Sequence, residues 1–272
     1  MASYVVVGAS RGLGFEFLRQ LSANPSNIII GLVRDVESTK AKVDAEIGRS
    51  NIHLLRYDLD DPSTVSDVVS ETSALLGGKL DHLIANAGIG GDHYMSTLTE
   101  LAKEPELLQR VFNQTFRTNV VGNAQIIGSF MPLILLGRAK KVIVLSSGMG
   151  DTELTRQYDI WMGPAYSASK AALNMVVAKY SAEYREKGVV VLAISPGVVD
   201  TGMSSDPQTA EPFKQLGAKL VEYAPTFKGP ITPEESVGRM LALVEKSKPT
   251  DSNMGDMISH LGTKQWVGDL AE

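Results

Sequence analysis

The chain has no cysteine among its 272 residues, which excludes disulfides and thiolate metal sites. It has no excess of positive charge either. The formal net charge is −5, whereas a binder of polyanions is usually basic, so nucleic acid is not expected as a partner. Histidine is scarce: His53, His82, His93 and His260 are scattered without metal-ligand spacing, and no metal is expected. No apolar run approaches the roughly 18–20 residues that a bilayer requires. The first residues run straight into Tyr4-Val5-Val6-Val7, without the basic start and long apolar stretch of a signal peptide. The expectation is a cytoplasmic protein with no membrane partner. Internal repeats, low-complexity tracts and linkers are also missing, which favours one α/β domain over residues 1–272.

What is present is alternation. Apolar, β-rich runs occupy residues 4–7, 28–33, 52–57, 80–85, 141–146 and 189–194, with a weaker one near 256–261. Helical spacing fills segments around 12–23, 62–76, 105–131, 165–187 and 233–246. Strand, helix, strand in repetition means right-handed crossovers and a parallel sheet. Nearly continuous apolar strands mean helices on both sheet faces. Asn24-Pro25 stops the first helix, Pro105 and Pro233 suit first-turn positions, and Pro132 is expected to end or kink the long fourth helix. Residues 198–230, rich in Pro, Gly, Ser and Thr, form the least regular stretch and are too long for a plain connection.

The first strand leads into Gly8-Ala9-Ser10-Arg11-Gly12-Leu13-Gly14 and then a helix. Glycines fit a tight turn and let backbone approach a pyrophosphate, while the helix N-terminus presents free N–H groups and a positive dipole. A plain glycine turn is the other reading of these residues; the strand before and the helix after supply the context that a dinucleotide site needs. Cofactor choice falls at the end of the second strand, where a carboxylate would bind a ribose 2′-hydroxyl and an arginine a 2′-phosphate. That strand ends Gly31-Leu32-Val33-Arg34-Asp35, with Val33 where a selecting acid would stand. Arg34 and Arg11 can converge on a 2′-phosphate through charge-assisted hydrogen bonds. The alternative is two solvated arginines, one of them neutralised by Asp35. NADP(H) is the expected cofactor.

Tyr166-Ser167-Ala168-Ser169-Lys170 opens another helical segment. Positions i and i+4 share a helix face, so the two side chains can point the same way. A tyrosine with an ordinary pKa of about 10 that lies beside an ammonium can exchange a proton with an alcohol or a developing alkoxide. Alone the pair is weak; its company changes the weighing. The fifth strand ends Val144-Leu145-Ser146-Ser147-Gly148, the fourth Ile84-Ala85-Asn86-Ala87-Gly88 and the sixth Ile194-Ser195-Pro196-Gly197. In a parallel sheet these carboxyl ends form one edge, where ligands bind, and a serine there can hold charge on a substrate oxygen. Asn119 lies within a long helical segment, either as an exposed position or as a buried polar link to Lys170.

These blocks, in this order from about Val5 to Thr201, resemble the classical short-chain dehydrogenase/reductase family. The resemblance implies a Rossmann-type, doubly wound, seven-stranded parallel sheet with helices on both faces. It implies Tyr166 as catalytic acid/base, Lys170 as binder of the nicotinamide ribose that lowers the tyrosine pKa, and Ser147 as the group that polarises the substrate oxygen. Ser147 is preferred to Ser146 because the family's serine is usually the second of this pair. Asn119 would support a water-linked proton path to Lys170. Cofactor contacts would come from Gly8, Ser10, Arg11, Gly12, Leu13, Gly14 and Arg34. The resemblance adds Asp58 and Leu59 at the adenine, Asn86, Ala87 and Gly88 alongside, and Pro196, Gly197, Val199 and Thr201 around the nicotinamide.

Three departures stand out: Val7 where threonine is usual, Ala85 where asparagine is frequent, and a longer spacer than usual, residues 148–165, between Ser147 and Tyr166. The spacer is expected to form part of the substrate wall, with Trp161, Met162 and Met203 as candidate contacts, whereas Met131 and Met175 read as packing. The opening and the short Gly-Thr-Lys-Gln-Trp tail are similar to a carbonyl-reductase branch that includes fungal ketoreductases of polyketide and toxin pathways. An NADPH-dependent reductase of a small-molecule ketone follows, with residues 198–230 as a substrate loop or lid. Imine or quinone reduction at the same site, or a non-catalytic nucleotide-binding scaffold, are the competing readings. Family members pair helices equivalent to 105–131 and 165–187, so a homodimer or homotetramer is expected.

Overall fold

The β-branched runs become strands because alternate residues find apolar partners on opposite sheet faces. They are β1 (Ser3–Val7), β2 (Ile28–Val33), β3 (Ile52–Arg56), β4 (His82–Ala85), β5 (Lys141–Leu145), β6 (Val190–Ser195) and β7 (Met257–Ser259). The computed structural model describes residues 1–200 and 210–269. All seven strands pair in parallel, in the order β3-β2-β1-β4-β5-β6-β7. The chain reverses its direction of winding between β1 and β4, which opens a crevice beyond their carboxyl ends.

Helices cover both faces. On one, Val5 and Val7 meet Ile126, Ile127, Phe130 and Met131 of α6 (Asn123–Leu136) and Leu173 and Val177 of α8 (Pro164–Tyr184). On the other, Val6 and Ile84 meet Phe17 and Leu18 of α1 (Gly12–Leu21) and Val237 and Met240 of α10 (Pro233–Lys246). The two-residue period of β1 is therefore what divides the core into two layers.

Among the described residues, four α-helices lie outside the segments with helical spacing. They are α2 (Val36–Glu46), α4 (Leu98–Ala102), α7 (Thr152–Gln157) and α9 (Ala210–Tyr223). α2 is polar nearly all round and buries only Thr39 and Val43, so it carries little periodicity; Asp35 starts it by accepting from Ser38 N at 3.0 Å. α9 lies within 198–230, the stretch expected to be least regular. α3 (Val65–Leu76) falls within an expected segment.

Pro132 does not end its helix. α5 (Pro105–Phe116) runs through a wider π turn, Arg117–Gly122, into α6, which continues to Leu136. The buried neighbours Phe130, Met131, Leu133 and Ile134 hold the last turn against the core, and their burial outweighs one missing N–H. The continuous run Pro105–Leu136 has 32 residues and a mean hydropathy of 1.4 over its most apolar window. It is long and apolar enough to cross a membrane, which corrects the expectation that no segment is; here half of that window is buried inside the protein.

Candidate active site

The β1–α1 turn depends on glycine at positions that no other residue fits. Gly8 has φ +75° and Gly12 φ +56°, values that L side chains disfavour. A Cβ on Gly8 would lie 2.8 Å from Ala87 Cβ, and one on Gly14 only 2.0 Å from Gly8 O. Asn86 locks the end of β4 to this turn, donating from Nδ2 to Gly8 O (2.9 Å) and Val7 O (3.2 Å). Arg11 is the N-cap of α1, and its side chain makes no capping bond.

Above the turn lies a cavity of about 370 Å³ at the β1/β4 reversal. Gly8, Ser10, Arg11, Gly12 and Leu13 line it from the turn, Arg34 from the end of β2, and Asp58 and Leu59 from beyond β3. Asn86, Ala87 and Gly88 close the β4 side. Gly14 is not part of the lining; it packs beneath Gly8. Arg11 and Arg34 are exposed, and neither pairs with a carboxylate among the described residues. Asp35 caps α2 rather than neutralising Arg34.

Tyr57, Asp60, Ile89 and Thr118 also line the cavity, and sequence reading did not single them out as site residues. Asp60 accepts from Thr118 Oγ1 at 2.6 Å, which ties the strand-end turn to the π turn, while Asp61 caps a short turn through Ser63 N. Proximity of Asp60 to Asp58 in the chain was the one available signal.

The β5, β6 and α8 residues gather next to this cavity. Pro164 occupies the first turn of α8, a position where its missing N–H costs nothing. Tyr166 and Lys170 then follow one turn apart, with Lys170 Nζ 5.7 Å from the Tyr166 ring centroid. Lys170 is 4% exposed and donates to Leu145 O at 2.8 Å. Burial pulls its ammonium down to about 8. Burial raises the Tyr166 phenol above its ordinary value, and a hydrogen bond from the Ser147 side chain opposes that rise.

The two adjacent serines separate clearly. Ser147 faces Tyr166, while Ser146 donates to Asn174 Oδ1 at 2.6 Å and is buried. Asn119 is fully buried in the π turn, which removes the exposed-helix alternative. Its Oδ1 accepts from Ile89 N (2.8 Å), and its Nδ2 donates to Ile89 O (2.9 Å) and Ser169 Oγ (2.9 Å). None of these bonds reaches Lys170 directly. The two side chains meet at Gly88, where an added Cβ would lie 3.1 Å from Asn119 Oδ1 and 3.4 Å from Lys170 Nζ.

Pro196, Gly197 and Val199 sit past β6, outside the cavity lining. Pro196 O accepts from Ser236 Oγ, Gly197 at φ +85° lies over His260, and Val199 bridges to Ile231. Thr201 and Met203 lie outside the described residues. The spacer 148–165 folds as α7 and joins a third apolar cluster with α9 and the tail. Asp151 caps α7 and accepts from Trp266 Nε1 at 2.8 Å, and Trp266 packs on Gly148, the residue after Ser147. Met162 is buried in that cluster and Trp161 is 43% exposed, so of these two candidates only Trp161 presents a large open surface. Met131 is packed as expected; Met175 is not, at 60% exposure.

A parallel sheet with a glycine cradle at its reversal and a Ser–Tyr–Lys cluster on the same edge defines a nucleotide-dependent oxidoreductase architecture. The short chain dehydrogenase family profile matches residues 3–212, and the chain belongs to that family of oxidoreductases. The short chain dehydrogenase virK of Hypocrea virens is 43% identical over 98% of this chain and 100% of its own. Among solved structures, the carbonyl reductase Sniffer of D. melanogaster aligns with a TM-score of 0.76 at 23% identity, covering 97% of this chain and 98% of its own. An NADPH-bound carbonyl reductase from chicken fatty liver aligns at 0.73 and 23%, with the same coverage. These likenesses agree with the fold expected from the sequence.

Proposed function

We propose that the protein is an NADPH-dependent reductase of a ketone in a small-molecule substrate. The observation that carries this reading is Tyr166 flanked by Ser147 and Lys170 at the sheet edge, next to a cavity bearing two arginines that pair with no carboxylate among the described residues. The bound cofactor of the structurally similar chicken liver enzyme supports the choice of NADPH.

The residues fit the cofactor. Gly8 and Gly12 leave the backbone bare at the turn, the α1 N-terminus would hold the diphosphate, and Arg11 and Arg34 suit a 2′-phosphate. Asp58 and Leu59 would flank the adenine, Asn86, Ala87 and Gly88 the adjoining ribose, and Lys170 the nicotinamide ribose. Pro196, Gly197, Val199 and Thr201 would border the nicotinamide. When bound, NADPH supplies the hydride.

The chain's own residues manage the oxygen. Ser147 donates a hydrogen bond to the substrate carbonyl. Tyr166, a phenol whose burial raises its pKa further above neutral, gives its proton to that oxygen as negative charge develops. Lys170 replaces the proton on Tyr166, and Asn119 fixes the π turn and the Ile89 backbone around it. The reading extends to residues 198–230 as a substrate loop and to a homodimer or homotetramer. Exposed Val121 and Met175, on the two helical segments proposed to pair, favour such an assembly.

The direct test follows NADPH absorbance with a panel of ketones; tight NADPH binding with no turnover on any of them would support the scaffold reading instead. Recognition of the 2′-phosphate is tested by Arg34→Ala. A charge-assisted hydrogen bond is worth about 1.5–3 kcal/mol, so NADPH affinity should fall roughly tenfold to a hundredfold. NADH affinity should change far less, and an equal loss for both would remove the role assigned to Arg34. A pH profile tests Lys170. Its pKa in the protein is about 8, so the charged, proton-bearing form is lost as pH rises through that value. The reduction rate should therefore fall above about pH 8. A flat profile through pH 9, with cofactor and protein intact, would argue against Lys170 as the proton source.

A further inference from the structure

Tyr94 belongs to none of the motifs above, yet it is built into the site. It lies in the loop from Asn86 to Thr97, between β4 and α4. Its ring centroid is 5.5 Å from that of Tyr166, with the planes tilted by 57°. Two glycines leave room for that ring. A Cβ on Gly163, just before α8, would lie 2.9 Å from Tyr94 Cε2, and one on Gly90 would lie 3.3 Å from Cδ2. Gly163 also donates its N–H to Tyr94 O at 2.6 Å, and its φ of +64° suits glycine. The loop is thus fastened to the start of the helix that carries Tyr166.

A phenylalanine would fill that space equally well. The tyrosine adds a hydroxyl, which takes no hydrogen bond among the described residues. Burial raises its pKa well above the ordinary value, as does the neighbouring Tyr166, so it remains a protonated donor across the working pH range. Tyr94 is only half-buried and its hydroxyl is open to water, so a ligand oxygen can take that water's place. Met95, the next residue in the chain, and Met149, two residues after Ser147, both pack against the third apolar cluster.

We infer that Tyr94 is a substrate-recognition residue, whose ring packs against a flat apolar part of the substrate and whose hydroxyl donates to a second oxygen near the reacting carbonyl. The substrate class is an aryl ketone with a neighbouring carbonyl or hydroxyl group. This assignment rests on the reductase reading for the identity of the reacting group, but not for the binding itself.

The test compares Tyr94→Phe with the parent on matched probes: benzil against deoxybenzoin, and ortho-hydroxyacetophenone against acetophenone. The members of each pair differ by one oxygen. Binding is measured by calorimetry in a Tyr166→Phe background with NADPH present, and kcat/KM with Tyr166 intact. One neutral hydrogen bond is worth about 0.5–1.5 kcal/mol, so the oxygen-bearing probe should lose roughly threefold to tenfold more affinity than its partner in at least one pair. Equal losses for both members of both pairs, or no loss, would overturn the assignment. Selective binding of the oxygen-bearing probe by an enzyme that reduces no ketone would sustain Tyr94 and defeat the reductase reading, so the two failures are distinguishable. Tyr94→Ala, which also removes the ring, should weaken all four probes.

Discussion

Tyr166→Phe is expected to lower kcat for ketone reduction by roughly 10²–10⁴-fold, the usual range for removing a general acid, with NADPH affinity held within about threefold. The change deletes one oxygen. The ring keeps its contact with Tyr94 at 5.5 Å, and Lys170 keeps its bond to Leu145 O, so the fold and the cofactor cavity should persist. What disappears is the phenolic proton. Ser147→Ala should cost less than Tyr166→Phe, because it removes a hydrogen bond to the developing charge but leaves the proton donor in place. Single-turnover mixing separates the chemical step from product release and should show the Tyr166→Phe loss in the chemical step. A variant that reduces ketones at the parent rate would mean that the proton comes from elsewhere, with Tyr94 and Lys170 the next groups to test.

The residues that carry this prediction were legible in the sequence because they are local. Tyr166 and Lys170 are one helical turn apart, and the Gly8–Gly14 turn joins a strand to a helix it directly precedes. β5 and β6 were equally plain, since they are apolar and buried almost throughout, whereas β3 is mostly half-buried and β7 has only three residues. Legibility fails where structure depends on distant partners. α2 is polar on most sides and is fixed by one cap at Asp35 and a small buried face. The π turn that buries Asn119 has no period of its own, and its shape is set by Ile89 and Ser169 from other elements. Of the two outcomes expected at Pro132, an end to the helix is excluded, because the apolar contacts around it hold the last turn together. Tyr94 gave no signal at all: its place depends on Gly163, far along the chain, and only the folded structure brings the two together. The long spacer was visible as an insertion, but not its fastening to the C-terminal tail through Asp151 and Trp266. Choosing Ser147 over Ser146 needed the family resemblance; the structure supplies a physical ground, because only one of the two side chains turns toward Tyr166.

Gly14→Ala is expected to remove most NADPH binding although Gly14 does not touch the cavity. Its Cβ would be 2.0 Å from Gly8 O and 2.7 Å from Asn86 Nδ2, and neither is the free end of a flexible side chain. The turn must move, and the bond from Asn86 Nδ2 to Gly8 O at 2.9 Å goes with it. Overpacking of this kind costs about 1–3 kcal/mol, which corresponds to a fall in Tm of roughly 2–10 °C for a domain of this size. The larger effect is on the ligand. A pyrophosphate site formed by backbone N–H groups tolerates little displacement, so NADPH affinity should drop at least tenfold, and the rise in Tm that saturating NADPH gives the parent should largely vanish. Gly217→Ala is the matched control. Gly217 lies within α9 and an added Cβ there meets nothing within 4 Å, so alanine should stabilise by about 0.5–1 kcal/mol through helix propensity alone. Thermal melts of both variants with and without NADPH decide the matter. If Gly14→Ala keeps the NADPH-induced shift, the turn adapts without losing its ligand, and the cradle is not where the cofactor's phosphates bind.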